Sequence, residues 1–485
     1  MTTMTIPMLI RGEATLARGG RHFERRNPLD GSVASRAPAA TVEDALDAAQ
    51  AAAQAFAGWS RTGPSARRAL LTAAAQALEA RQEAIAQAMA AETGASALWA
   101  GFNVHLAADM LREAAALTTQ INGEVIPSDV PGSVAMALRQ PAGVVLAIAP
   151  WNAPVILAVR GLAVPLACGN TVVLKGSEIC PATQGLIVQA LQEAGLPPGV
   201  VNYVTHAPED AAAVVEALVA HPAVRRVNFT GSTHVGRLIA QTCARHLKRS
   251  VLELGGKAPL LVLDDADLEA AVAAATFGAF ANSGQICMST ERLIVDEQVA
   301  DAFVERLTER ARALPLGDPR LGAVVLGSVV DQATVERCNT LIDDALAKGA
   351  RLCCGGRADS TLMPATLLDH VTREMRIYHE ESFAPVKAIV RVRGEDAAVA
   401  CANDNAFGLS AAVFGRDLAR AWRVASRIDS GICHVNGPTV HDEAQMPFGG
   451  VKGSGWGRFG GRAGIEEFTE LRWITMQTAP RSYPF

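Results

Sequence analysis

Apolar positions recur at helical spacing through residues 41–60, TVEDALDAAQAAAQAFAGWS, and through 64–95, PSARRALLTAAAQALEARQEAIAQAMAAETGA. Thr41 stands before the first run, and Pro64 with Ser65 opens the second, residue types whose side chains or missing N–H suit the first turn of a helix. Both runs predict helices. From about residue 143 the pattern changes. Short apolar runs at GVVLAIAP, NTVVLKG, VVNYVT and VRRVNFT alternate with helical spacing over 154–168, PATQGLIVQALQEAG, 210–220 and THVGRLIAQTCARHL. Strands that alternate with helices predict a doubly wound parallel sheet, because a parallel neighbour is reached only through a crossover. A second alternating block begins near 259, with strands at PLLVLDDAD, ERLIVDE, ESFAPVKAIVRV and AAVFGRD and helices over about 267–281 and 298–313. The fold class is therefore α/β, with two doubly wound open-sheet domains. GEVIPSDVPGSVAMALRQPAG reads as a Pro/Gly-punctuated hairpin and EEFTELRWITMQT as a terminal strand, and both lie outside the two blocks. They predict a small β oligomerisation arm at 125–143 and 470–485, leaving 1–124 with 144–255 as the first domain and 256–455 as the second.

Composition adds what the pattern cannot. The 485 residues are 49% hydrophobic and 19% charged, enough for a large core divided among two or three domains. The 44 basic and 49 acidic residues form no long runs and leave a net charge of -5, so neither the basic stripe of a nucleic-acid binder nor a polybasic membrane patch is present. The most apolar stretch, APVILAVRGLAVPLACG, is interrupted by Arg160 and falls short of the roughly 18 uncharged residues of a membrane span. MTTMTIPMLIRGE lacks the pattern of a signal peptide. Nine cysteines at irregular spacing, without a C-x-x-C pair, argue for a reducing compartment and against a disulfide framework or metal site. The expectation is a cytoplasmic protein with a small-molecule partner and no nucleic acid, membrane or metal.

Five stretches carry candidate chemistry. In VNFTGSTHVG, residues 227–236, a strand ends and Gly231, Ser232 and Gly236 open a helix whose free amides favour an anionic group; a plain strand-to-helix turn reads equally well. VVLKGSE puts Lys175 and Glu178 at the carboxyl end of an earlier strand, where a carboxylate can accept two ribose hydroxyls and repel a 2'-phosphate, or simply form a solvated charged turn. VLELGGK sets Glu253 inside an apolar strand, where desolvation raises a carboxyl toward the range of a general base, unless a basic side chain pairs with it. APWNAP fixes Asn152 after a strand, as an oxyanion donor or a cap. AFANSGQICMST presents Cys287, either a small core hydrophobe or a nucleophile.

Together these residues form a set that covalent hydride chemistry uses, and the chain resembles the NAD(P)-dependent aldehyde dehydrogenase superfamily along nearly its whole length. The matching motifs are PWN at 150–152, LKGSE at 174–178, FTGSTHVG at 229–236, ELGGK at 253–257, GQIC at 284–287, EESFAPV at 380–386 and PFGGVKGSGWGR at 447–458. The resemblance implies a Rossmann-like cofactor domain and a catalytic domain. It makes Cys287 the nucleophile, Glu253 the general base and Asn152 the oxyanion donor. Trp151, Lys175, Glu178, Gly231, Ser232, Gly236, Glu381 and Phe383 match cofactor-contacting positions. Gly176 stands where the family often has proline, and Ala384 where it often has glycine. The implied reaction runs through a cysteine thiohemiacetal and thioester with NAD as cofactor, NADP being less favoured beside Glu178. Relatives that pass the acyl group to coenzyme A lack a base at the position of Glu253, so hydrolysis is implied here.

The loop VNGPTVHDEAQMPFGG, residues 435–450, resembles that of salicylaldehyde, vanillin and benzaldehyde dehydrogenases, and the implied substrate is an aromatic aldehyde. Arg160 and Trp99 are the candidate substrate residues, the arginine for a ring oxygen or a structural ion pair and the tryptophan for an apolar wall. Succinic semialdehyde dehydrogenases resemble the chain at Arg160 too, but pair it with a second arginine where this sequence has Ala281. The alternatives are therefore a succinic semialdehyde or broad aliphatic enzyme, and, from another class, a catalytically dead binding or structural relative. A homodimer or homotetramer is expected.

Overall fold

The computed structural model describes residues 3–485. The strands expected from 143 onward form the centre of an eight-stranded sheet. Its parallel members lie in the order Arg249–Glu253, Val224–Thr230, Val144–Ile148, Thr171–Lys175 and Val201–Val204. Every residue of Val144–Ile148 and Thr171–Lys175 is buried, because helices cover both faces. The order turns at Val144–Ile148, which opens a crevice at the carboxyl ends of the strands, and the candidate residues lie along this edge. The sheet's margins are antiparallel, with Met8–Ile10 beside Val201–Val204 and Gly455–Trp456 beside Arg249–Glu253.

A seven-stranded sheet runs Arg351–Cys354, Thr366–Asp369, Val386–Val392, Thr290–Asp296, Ala258–Val262, Ser410–Phe414 and Ile432–Val435, parallel except for its first pair. Ser133–Pro141 pairs antiparallel with Thr469–Gln477 on one side and Glu124–Ile126 on the other.

The chain departs from the sequence pattern in three places. The expected helix over 64–95 is two helices, Pro64–Glu79 and Gln82–Thr93, with a turn at Ala80–Arg81. No Gly or Pro marks this break. It is made by packing, since Leu78 and Ile85 are both fully buried, and Arg81 pairs with Glu193 at the bend. A long helix, Ala97–Leu117, is not among the expected elements, and it packs against Pro154–Ala167 at the site. A small sheet of Met4–Thr5, Val33–Pro38 and His22–Arg26 adds strands too short or too polar to read from alternation. Among the described residues no helix is long and apolar enough to cross a membrane.

Candidate active site

The thiol loop follows the helix Leu268–Phe280. Asn282, Ser283 and Gly284 all take positive φ, at 49°, 53° and 71°, and reverse the chain so that Ile286 enters the core while Cys287 keeps partial exposure. Left-handed backbone at two consecutive non-glycine residues is costly and persists only where the surroundings hold it. Gln285 does so here. Its side-chain oxygen accepts from the Val330 amide at 2.9 Å, and its Nε2 donates to the Asn282 and Ser328 carbonyls at 3.2 Å each. Gly256 of the ELGGK stretch lies against this loop, so close that a Cβ there would stand 2.3 Å from the Cys287 carbonyl oxygen. Burial pushes the Cys287 thiol up to about 12; the Glu253 carboxylate adds to the shift and Arg160 opposes it.

Glu253 ends its strand, buried, and neither carboxylate oxygen has a hydrogen-bond partner among the described residues. Burial raises it to about 8, against the pull of Arg160 and then Arg458. The sequence alternative of a basic partner in contact is thus not what the structure contains. A buried carboxyl with free lone pairs and an affinity for protons near neutrality is poised to take one. Asn152 Nδ2 donates to the Gln285 carbonyl at 3.0 Å, which uses one of its two hydrogens and sets the amide beside the thiol loop. The Asn152 backbone carbonyl is itself held by Trp99 Nε1 at 2.8 Å and Asn282 Nδ2 at 3.0 Å.

Residues distant in sequence meet on the other side of the thiol. Trp151 and Phe383 contact edge to face with ring centroids 5.7 Å apart, and Phe383 has a φ of 45°. Glu381 accepts from the Gly256 amide at 2.9 Å, and a Cβ on Gly255 would come within 2.8 Å of its other oxygen, so the Gly-Gly pair is what admits this carboxylate. Burial raises Glu381 to about 7. The turn that carries it is pinned from beneath by Glu291, which lies between Lys257 and Lys387 and accepts from the amide and hydroxyl of Ser382 at 2.9 and 2.6 Å.

At the crevice, Ser232 caps the helix Thr233–Arg245 by accepting from the Val235 amide at 3.3 Å, while a Cβ on Gly231 or Gly236 would strike Phe229 or Leu254. Lys175 Nζ lies 2.8 Å from His206 Nε2, and burial, with the lysine's charge, lowers that imidazole to about 4. Glu178 follows the same strand, half-buried. A helix N-terminus, a carboxylate two strands over and a second carboxylate near the thiol fit the phosphates and two riboses of a nicotinamide dinucleotide. Gly176, where proline is frequent in the superfamily, has its own reason: a Cβ there would stand 2.6 Å from the Tyr203 hydroxyl.

The two substrate candidates are both engaged. Arg160 lies in a helix, Pro154–Ala167, whose every residue is buried; it forms an ion pair with Asp442 and its guanidinium sits 4.0 Å from the centroid of the Phe448 ring. The ion pair, one of its two sequence readings, is present. Trp99 stacks on Phe102 at 5.3 Å, besides holding Asn152. A cavity of about 470 Å³ is lined by Phe102, Leu106 and Ala444 together with the charged Asp109, Arg112, Glu113, Asp442 and Glu443. Glu291 carries no motif, and although Gln285 lies in GQIC and Asp442 in the 435–450 loop, neither stretch marks the role of that residue. Arg160 amid VILAV and GLAV does imply a carboxylate partner, without saying which.

The sequence pattern of the aldehyde dehydrogenase family matches residues 15–474. A vanillin dehydrogenase of Pseudomonas fluorescens is 63% identical over 481 residues, covering 99% of this chain and 100% of its own. A salicylaldehyde dehydrogenase of Pseudomonas putida is 54% identical over 464 residues, 96% of each chain. The crystal structure of a salicylaldehyde dehydrogenase from Pseudomonas putida G7, complexed with salicylaldehyde, superposes with a TM-score of 0.98 at 52% identity, over 99% of this chain and 100% of that one. With its thiol, buried carboxyl and amide donor gathered at the mouth of a doubly wound sheet, this chain belongs to the aldehyde dehydrogenase family.

Proposed function

We propose that this protein oxidises an aromatic aldehyde of the vanillin, salicylaldehyde or benzaldehyde type to its carboxylic acid, reducing NAD, through a thiohemiacetal and a thioester on Cys287. The observation that carries the substrate class is the ion pair of Arg160 with Asp442 against the Phe448 ring. An arginine whose charge is already balanced, and which lacks a second arginine at Ala281, is a poor clamp for the carboxylate of succinic semialdehyde. The stacked Trp99 and Phe102 rings, the second of which shares a cavity with Asp442, suit an aromatic aldehyde. The 63% and 54% identities to vanillin and salicylaldehyde dehydrogenases support the same reading. Vanillin, salicylaldehyde and benzaldehyde are each expected to exceed succinic semialdehyde in kcat/KM by about tenfold or more, followed by NADH absorbance. If succinic semialdehyde is the best of the four, the aromatic reading falls.

An aldehyde carbon has no leaving group, so the first task is to make it tetrahedral. As Sγ of Cys287 bonds to the carbonyl carbon, the thiol proton passes to Glu253, whose lone pairs are free. The carbonyl oxygen turns negative beside the second hydrogen of Asn152 Nδ2. The nicotinamide cofactor, when bound, supplies the hydride acceptor that converts this thiohemiacetal to a thioester. Glu253, having released its proton to solvent, takes one from a water that attacks the thioester, and the acid leaves as Sγ is restored. Asn152→Ala removes one oxyanion donor and is expected to slow NADH formation in a single turnover about 10²- to 10³-fold; an unchanged rate would remove Asn152 from this role.

We assign 1–124 with 144–255 to cofactor binding, 256–455 to catalysis and 125–143 with 470–485 to assembly as a homodimer or homotetramer. The exposed Val125, Leu471, Trp473 and Met476 on the outer three-stranded sheet support the last assignment. Free cysteines throughout suit a cytoplasmic enzyme. Glu178 is expected to favour NAD over NADP by about tenfold or more in kcat/KM, through its bonds to ribose and its repulsion of a 2'-phosphate. Equal use of NADP would overturn that preference.

A further inference from the structure

Asp442 is held in an unusual state. Its side chain is 6% exposed and that of Arg160 5%, so the pair lies inside the protein. Arg160 Nη2 donates to Oδ2, yet Oδ1 is buried without any hydrogen-bond partner among the described residues. A buried carboxylate oxygen normally finds a donor, since leaving it unpaired forfeits a charge-assisted bond. The side-chain donors around the cavity that Asp442 lines are committed elsewhere, Arg112 to Asp109 and Glu79. His441 Nε2 and Gln445 Nε2 both bind Glu443, at 2.9 and 2.8 Å, and His105 faces Asp109 at 3.5 Å. The cavity of about 470 Å³ reaches Asp442, and its other walls are Phe102 and Leu106 on the apolar side and Asp109, Arg112, Glu113 and Glu443 on the charged side. It has room for a ring and lacks one hydrogen-bond donor.

Resting on the reading of this protein as an aromatic aldehyde dehydrogenase, we propose that Asp442 Oδ1 accepts the hydroxyl of a phenolic aldehyde and so selects substrates that carry a free ring hydroxyl. Arg160 then acts as a positioning residue. Bound to Oδ2 and seated on Phe448, it fixes the rotamer of Asp442 and opposes the upward shift that burial gives its carboxyl, favouring Oδ1 as an acceptor over a donor. A methyl group of the same size as the hydroxyl leaves Oδ1 unsatisfied. A ring carboxylate, or a phenol already ionised, meets a like charge. The phenol is thus bound in its neutral form.

The test compares 2-, 3- and 4-hydroxybenzaldehyde with the three tolualdehydes, which place a methyl where the hydroxyl stands. For at least one ring position the wild-type enzyme is expected to favour hydroxyl over methyl in kcat/KM by about 10- to 100-fold, the size of one hydrogen bond to a charged group. In Asp442→Asn, Arg160 holds the amide oxygen and turns the NH2 toward the cavity, replacing an acceptor with a donor. The hydroxyl-to-methyl ratio is then expected to fall by about tenfold or more. The double variant Arg160→Met/Asp442→Leu leaves no unpaired buried charge and is expected to lose the same preference. A merely structural role would lower both members of each pair together and leave the ratio standing. A wild-type ratio near one at all three positions, or a ratio that both variants preserve, overturns the proposal. Failure of the aromatic reading itself looks different: the wild-type enzyme would turn over neither series, unsubstituted benzaldehyde included.

Discussion

Cys287→Ser is expected to lower turnover of every aldehyde by at least about 10⁴-fold while NAD still binds. A serine hydroxyl keeps the size and position of the thiol but lacks the polarizable sulfur and the accessible anion. The thiol is itself held up at about 12 by burial and by Glu253, so in the resting protein it is protonated and its reactivity depends on the moment the proton is taken. The surrounding geometry predicts that nothing substitutes for it. The other cysteines are packed in the cores or on distant strands, and replacing any one of them leaves most of the activity. NADH formation gives the rate and quenching of tryptophan fluorescence reports cofactor binding. Activity in Cys287→Ser near that of the native enzyme would remove Cys287 from the chemistry.

Glu253→Gln is expected to separate the two halves of the reaction. Hydride formation, for which Glu253 takes the thiol proton, slows but completes one turnover, and hydrolysis of the thioester slows more, by about 10²- to 10⁴-fold, the worth of a positioned general base. Rapid mixing shows this as a burst of NADH followed by a slow phase. The pH dependence follows from the raised carboxyl. Glu253 works as a base only when ionised, and burial holds it near 8. Hydrolysis therefore rises with pH, about tenfold per unit below that value, and levels off above it. In Glu253→Gln this limb disappears. A steady-state rate equal to that of the native enzyme, with the limb intact, would show that another group is the base.

The centre of the fold was legible because physics leaves few options there. Val144–Ile148 and Thr171–Lys175 are buried on both faces, so they read as unbroken apolar runs between helical ones. The break at Ala80–Arg81 was not, since alanine favours helix on either side and the turn is imposed by partners such as Glu193 more than a hundred residues away. Much of the candidate site was legible as motifs whose residues sit at or just past strand ends: Glu253 and Lys175 close their strands, and Glu178 and Asn152 follow within four residues. What holds them was not. Gln285 ties the thiol loop to Val330 and Ser328, and Glu291 fixes the Glu381 turn from below, through contacts that no local spacing encodes. Arg160 shows the limit most plainly. Its burial in an apolar helix announced a partner, but Asp442 lies 282 residues on, in a loop whose local sequence gives no hint of that pairing.

The central claim is that an aromatic acyl group is carried on Cys287 and released by Glu253. It is tested most directly by intact-mass spectrometry of Glu253→Gln, quenched within one turnover of benzaldehyde and NAD, with peptide mapping of the adduct. The expected result is a single benzoyl addition, confined to the peptide containing Cys287, which decays slowly as benzoate appears. An enzyme that forms NADH and benzoate with no acyl group on Cys287 at any time would contradict the account.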